Sequence, residues 1–407
     1  MTDSHVLIVD IGPSVCNVGF GTDEAPVLIF TNLVGRRKPH ALNLEDRNYV
    51  GDETHHIKGL LDLQSSIENG IITNWIALER IFQYIFDKLN INPQSINIII
   101  TVSPQSSSSE INRLMELMFN KFHIKALYIS NQAKVSLLYA QYYSNRTEYI
   151  DTGCIIDSGD KLTTITCIIG GYCLPNSRIH LDIAGKDLTE YLRWILTERG
   201  YTFSSKHVKI MKEKVTYIAL DYQHELNIAS TTKGVEMKYE LNDGSEIIIN
   251  NERFKCPELL FQPVFMGKSH ENNLPNAILQ SIQLCDSNLH MKLLSNIILT
   301  GGNTLFPNIE IRLMNEIKQL LHCNTTDTTT TGTTTAAPAT SGATTTPTPL
   351  TTTTTTATST TNTTTAAAAV NVIAAPNRQY AAWLGSKLLL SQPDFPSQWI
   401  LNPQEDI

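Results

Sequence analysis

Two stretches far apart in this chain carry the same pattern, and any fold for it has to place both. Val6-Leu7-Ile8-Val9-Asp10-Ile11-Gly12 and Cys154-Ile155-Ile156-Asp157-Ser158-Gly159-Asp160 each run from an apolar strand into Asp, one further residue and Gly, with a second strand after. A tight glycine turn lines up successive backbone N–H groups into an anion-binding concavity. An Asp at the strand end can hold Mg2+, usually through water, because that ion keeps most of its hydration shell. Two such hairpins facing each other could clamp the phosphates of one nucleotide; as residues alone, they are equally a pair of ordinary turns. A third glycine site ends the strand Ile297-Ile298-Leu299-Thr300 in Gly301-Gly302-Asn303. There a nucleoside could approach the backbone closely, or the chain could simply turn.

The elements between these sites alternate. Leu78, Ile81, Phe82, Ile85, Phe86 and Leu89 have the spacing of an amphipathic helix over residues 77–89. Ile96 to Val102 is a β-branched run apart from Asn97, predicting a buried strand. A serine cluster then leads a helix with Ile111, Leu114, Met115, Met118, Phe119 and Phe122 on one face. Strands and helices in alternation predict sheets covered by helices, an α/β fold. With 407 residues the chain can bury two or more sizeable cores.

Charge and cysteine usage exclude several function classes. A net charge of -8 argues against a nucleic-acid binder working through bulk electrostatics, and Arg36-Arg37-Lys38 is too short to change that, reading as a solvated loop. The seven cysteines are scattered, with no C-x-x-C pair and no histidines at zinc-finger spacing. Reduced thiols in a cytosolic or nuclear protein are expected. Met-Thr-Asp-Ser-His lacks the basic and apolar regions of a signal peptide, and no run of apolar residues is long enough to span a membrane. From Asn324 to Ala369 the composition collapses to Thr and Ala, with Asp327 the one charge and Leu350 the one large apolar residue. Such a stretch cannot bury enough surface to offset its ordering entropy, so it is expected to be disordered. Because the globular pattern resumes at Val370-Asn371-Val372-Ile373, the tract is expected to interrupt a domain as a surface loop.

Longer blocks carry a family resemblance. Leu181-Asp182-Ile183-Ala184-Gly185-Lys186-Asp187-Leu188-Thr189-Glu190-Tyr191-Leu192, then Ile195-Leu196-Thr197-Glu198-Arg199-Gly200-Tyr201, is similar to actin nearly position for position. So are Tyr49-Val50-Gly51-Asp52-Glu53, Thr73-Asn74-Trp75, Asn251-Glu252-Arg253-Phe254-Lys255-Cys256-Pro257-Glu258, Trp383-Leu384-Gly385 and Trp399-Ile400. The resemblance covers essentially the whole chain outside the Thr-rich tract. It implies a two-lobed actin-like ATPase fold with a nucleotide cleft between the lobes. Residues 1–143 would form the first lobe, 144–323 the second, 324–369 the disordered insertion and 370–407 the closing segment.

It also implies ATP or ADP with Mg2+ (or Ca2+) in the cleft. Asp10 and Asp157 would sit near the metal, through water. Gly12, Ser14, Ser158, Gly159, Asp160 and Lys161 would face the phosphates. Gln132 falls where actins place the glutamine that orients the attacking water. Gly185, Lys212 and Glu213 would lie against ribose and adenine, with Gly301, Gly302, Asn303 and Phe306 completing the pocket.

The chain departs from the actin pattern where chemistry would occur. Pro13, Ser14 and Asn17 stand where the first phosphate loop normally offers Ser, Gly and a phosphate-binding Lys. Proline has no N–H to give a phosphate. Lys161 replaces a Gly, Thr164 the His that helps place the water, and Gln379 a Lys near the adenine. These changes predict weaker nucleotide binding and slow or absent hydrolysis, with Lys161 a candidate to restore the cation missing at Asn17. Filament surfaces differ too. The loop between Gly35 and Tyr49 is shorter than usual, the apolar plug is replaced by polar Lys268-Ser269-His270-Glu271-Asn272-Asn273, the chain stops at Ile407 without a basic Cys-containing tail, and Asn69 replaces the histidine that conventional actins methylate.

The expectation is a divergent actin or actin-related cytoskeletal protein, holding ATP mainly as a structural ligand. It would act through contacts with actin or actin-related subunits and actin-binding proteins in filaments or a complex, in the cytoplasm. The alternatives are a conventional polymerising actin ATPase and a nuclear chromatin-complex subunit. A sugar kinase or chaperone ATPase would share the two-hairpin clamp, but no separate substrate-binding domain is evident.

Overall fold

The computed structural model describes residues 6–403 apart from 42, 145–149, 242 and 327–368. The tract expected to be disordered, 324–369, therefore lies almost wholly outside the described residues.

Two large sheets repeat one plan. In the first, Val6–Ile11 pairs antiparallel with Val15–Phe20 and parallel with Asn97–Val102, which pairs in turn with Ala126–Asn131. Leu28–Thr31 and Ile400–Leu401 close its two edges. In the second, Gly153–Ser158 pairs antiparallel with Thr163–Ile169 and parallel with Ile297–Thr300, which pairs with Val372–Ile373. Each sheet is thus a hairpin followed by two parallel strands. Parallel strands need crossover connections, and helices supply them. Both faces of these strands are consequently covered, which is why their sequences are nearly continuous in Val and Ile.

The period-2 alternation of side chains splits the first sheet between two cores. Leu7, Val9, Ile98 and Ile100 face the helix Trp75–Leu89, whose Leu78, Ile81, Phe82, Ile85 and Phe86 are buried as its spacing predicts. Asn74 caps this helix by accepting from the Ala77 N–H, and Asn90 ends it in the left-handed conformation. Val6, Ile8 and Ile99 face the other way, onto Trp383 and Phe395. The Trp383 indole donates to the Ile8 carbonyl at 3.2 Å. The serine-led helix starts at Ser108 with a capping box between Ser107 and Glu110. It does not continue as a regular helix: Leu117–Lys121 widens into a π turn, with Leu114, Met118, Phe119 and Phe122 buried and Ile111 and Met115 only half-buried.

Arg36 and Arg37, expected in a solvated loop, instead end the strand Val34–Arg37, which pairs with Asn48–Val50 on one side and Leu61–Gln64 on the other. Charge is tolerated there because the arginines sit at the strand's outer end: Val34 and Gly35 are buried, whereas Arg36 is exposed and Arg37 only half-buried.

The second core joins segments on both sides of the undescribed stretch. Leu313 and Ile317, from the helix Ile309–Thr326, are buried in one cluster with Val370 and Val372. Beside it, Arg312 forms a buried fork to Glu258, at 2.9 and 3.2 Å, and stacks 4.6 Å from the Phe261 ring. An ion pair this deep is costly to break, because the partner is left as an unpaired buried charge. Arg312→Met should therefore lower the unfolding free energy by about 3–5 kcal/mol, read as a drop in denaturant midpoint.

Candidate functional site

The repeated plan brings the two Asp-x-Gly turns together at one cavity of about 590 Å³, within the usual size of cofactor sites. The turns are closed identically. Gly12 N–H donates to Val15 O at 2.9 Å, and Gly159 N–H donates to Leu162 O at 2.9 Å. The equivalence extends to the neighbouring parallel strands, where Asp10 lies beside Thr101 and Asp157 beside Thr300. The sequence reading overlooked these threonines. Their signal was the matching ends Ile98-Ile99-Ile100-Thr101 and Ile297-Ile298-Leu299-Thr300, which extend the internal repeat.

Asp10 is the most heavily restrained group. The Thr101 hydroxyl and the Gln132 amide, at 2.9 Å, donate to one carboxylate oxygen, and the Asn17 amide donates to the other at 3.0 Å. This leaves Asn17 Oδ1 buried without a hydrogen-bond partner. Asp157 faces Asp10, and burial, reinforced by the Asp10 charge, pushes its carboxyl up to about 6. The Ser14 hydroxyl links the two turns by donating to Asp160 at 3.2 Å. Burial alone would raise the Asp160 carboxyl, but Lys209, 3.1 Å away, together with Lys212 and the Ser14 hydroxyl, holds it below its ordinary range.

The second turn is fixed from behind. Helix Gly185–Glu198 presents its first N–H groups to it, with Gly185 N–H donating to Gly159 O at 2.9 Å and Lys186 N–H to Asp160 O at 2.7 Å. The Asn303 amide donates to Gly159 O at 2.6 Å and to Ser158 Oγ at 3.2 Å. Lys212, buried, donates to Gly185 O at 2.8 Å, and desolvation lowers its ammonium despite the nearby Cys256 and Asp160. Gly301 makes the close approach possible. Its φ is +87°, and a Cβ there would lie 2.4 Å from Ser158 O.

Of the residues expected at the site, Asp10, Gly12, Ser14, Gln132, Asp157, Gly159, Asp160, Lys161, Lys212, Glu213, Gly301, Gly302, Asn303 and Phe306 line this cavity. Ser158 and Gly185 do not; they stand behind its wall and hold the second turn. The departing residues Pro13, Asn17, Thr164 and Gln379 line it as well.

The sequence matches the family model described as Actin over residues 1–404. The chain belongs to the actin family. Its members generally bind a nucleotide with a divalent cation, and the cavity of this actin-family protein fits such a pair. Two facing carboxylates, one of them reluctant to ionise, call for a positive charge between them. The orphaned Asn17 Oδ1, beside Asp10, is an acceptor suited to a water carried by a hydrated cation. Gln379 Oε1 is a second buried acceptor without a partner on the cavity wall. Among the described residues no cluster of three or more His, Cys, Asp or Glu side chains is arranged to hold a metal. No helix among the described residues is long and apolar enough to cross a membrane.

Two adjacent glycines separate site geometry from general tolerance. Gly301→Ala should cost more than about 2 kcal/mol by thermal unfolding, from the positive φ and the clash with Ser158 O. Nothing lies within 4 Å of a Cβ on Gly302, so Gly302→Ala should stay within about 0.5 kcal/mol of the parent.

Proposed function

We propose that this actin-family protein holds an adenine nucleotide, ATP or ADP with Mg2+ or Ca2+, between two lobes, mainly as a structural ligand. It acts through protein contacts in filaments or a complex. The observation that carries the reading is the pair of equivalent Asp-x-Gly turns converging on one cavity. In it, residues 1–143 and 144–323 supply the lobes, each built on one large sheet, and the cavity is the cleft. Asp10 and Asp157 hold the cation through water, and the turns at Gly12–Ser14 and Ser158–Lys161 receive the phosphates. Lys212, Glu213, Gly301, Gly302, Asn303 and Phe306 surround the nucleoside, with Gly185 supporting from behind.

The groups that hydrolysis needs are spent or missing. Pro13 has no N–H to give. The Asn17 amide is committed to Asp10, and so is the Gln132 amide that would help position a water. Thr164 stands on the cavity wall in place of a histidine that would help place the water. A site so furnished binds and orients better than it activates water, which favours a ligand that braces the fold.

The assembly surfaces argue the same way. Lys268, in the polar segment that replaces the apolar plug, is drawn back onto the protein by the Asp182 carbonyl and by Asp187 at 3.2 Å. A segment this polar is a poor apolar anchor for a neighbouring subunit. Actin-related subunits and actin-binding proteins remain the natural partners, in the cytoplasmic cytoskeleton or, as the alternative, in a nuclear complex.

Protein loaded with Mg-ATP and brought to polymerising salt should release less than one phosphate per chain over several hours and stay in the supernatant on sedimentation. Phosphate release accompanied by pelleting would instead mark a working filament ATPase.

A further inference from the structure

Three lysines line the cavity, and two are already committed. Lys209 pairs with Asp160 at 3.1 Å, and Lys212 is buried against Gly185 O at 2.8 Å. Lys161 differs. It sits on the second turn, yet its ammonium reaches across the cavity to the first, donating to Pro13 O at 2.8 Å and to Ser65 Oγ at 3.4 Å. Both partners are neutral oxygens. A charge-assisted bond to an anion is roughly twice as strong as one to a neutral acceptor, so an ammonium held this way yields readily to phosphate. Pro13 and Ser65 are only half-buried, so water can take over from the lysine.

We propose that Lys161 is the residue through which the site reads phosphate charge: its ammonium leaves Pro13 O for an oxygen of a polyphosphate lying between the two turns. The assignment rests on the nucleotide reading above and adds to it a basis for preferring the triphosphate. The position is suited to the task. Residue 161 lies within the turn closed by Gly159 and Leu162, while its ammonium lies against the turn closed by Gly12 and Val15. A phosphate seated on either set of N–H groups is therefore within reach. The local electrostatics agree: partial burial lowers the Lys161 ammonium while Asp160 and Glu68 raise it, and a bound anion would strengthen the charge further.

A lysine that merely strapped the two turns together would affect every ligand of the cavity alike. A phosphate reader affects only charged ones. Equilibrium binding of ATP and of adenosine, both with Mg2+, to the full chain separates the two. Lys161→Met should weaken ATP by about tenfold or more while leaving adenosine within about twofold, and Lys161→Arg should keep ATP within about threefold of the parent. Lys161 is an exposed turn residue, so the variants should fold; if the methionine variant does not, Lys161→Gln makes the same comparison. Equal weakening of ATP and adenosine, or unchanged ATP, would overturn the assignment while leaving nucleotide binding intact. A parent protein that bound neither ligand would overturn both.

Discussion

Two carboxylates at the ends of facing strands set the terms for the rest of this molecule. Asp10 and Asp157 are brought close enough that the charge on one, added to desolvation, opposes ionisation of the other. Like charges at such a site are tolerated when a cation relieves them, and a hydrated divalent ion does so without requiring further protein ligands. Everything around the pair keeps it in place. Thr101, Gln132 and Asn17 fasten Asp10, and parallel pairing sets Asp157 beside Thr300.

The rigidity of the site is a consequence of how the two sheets are built. Each Asp ends a strand buried on both faces, so its position is set by packing rather than by a loop. The turns that follow are short and closed by their own glycine N–H groups. The second turn is further immobilised by a helix N-terminus and by Asn303, and the approach of Gly301 leaves no room for a side chain. The first turn carries Pro13, the strand after it a spent Asn17, and the gap is crossed by Lys161–Pro13 and Ser14–Asp160. The two halves are equivalent in backbone but unequal in chemistry.

Much of this was legible in the residues. The repeated strand-Asp-x-Gly pattern located both turns because a buried strand and a tight turn each demand particular residue types locally. The helix Trp75–Leu89 was legible from its periodicity for the same reason, though its Asn74 cap was not read. What depended on tertiary partners was not. Lys161 was a candidate cation from its departure from the family pattern, but a turn lysine ordinarily points to solvent, and its partner Pro13 O appears only in the fold. The π turn at Leu117–Lys121 interrupts a face whose spacing reads as continuous helix, and Arg36-Arg37 read as loop because the strands pairing with it lie elsewhere in the chain. The orphaned acceptors of Asn17 and Gln379 are visible only once all neighbours are placed.

The central claim is that these two turns exist to hold one adenine nucleotide with its cation. The most direct measurement is the nucleotide content of the protein purified in Mg2+ without added nucleotide, by denaturing it and quantifying what is released. The account predicts close to one adenine nucleotide per chain, lost on chelation of the divalent ion together with a fall in thermal stability. Protein that carries none, takes none up from Mg-ATP and unfolds at the same temperature with or without it would contradict the account.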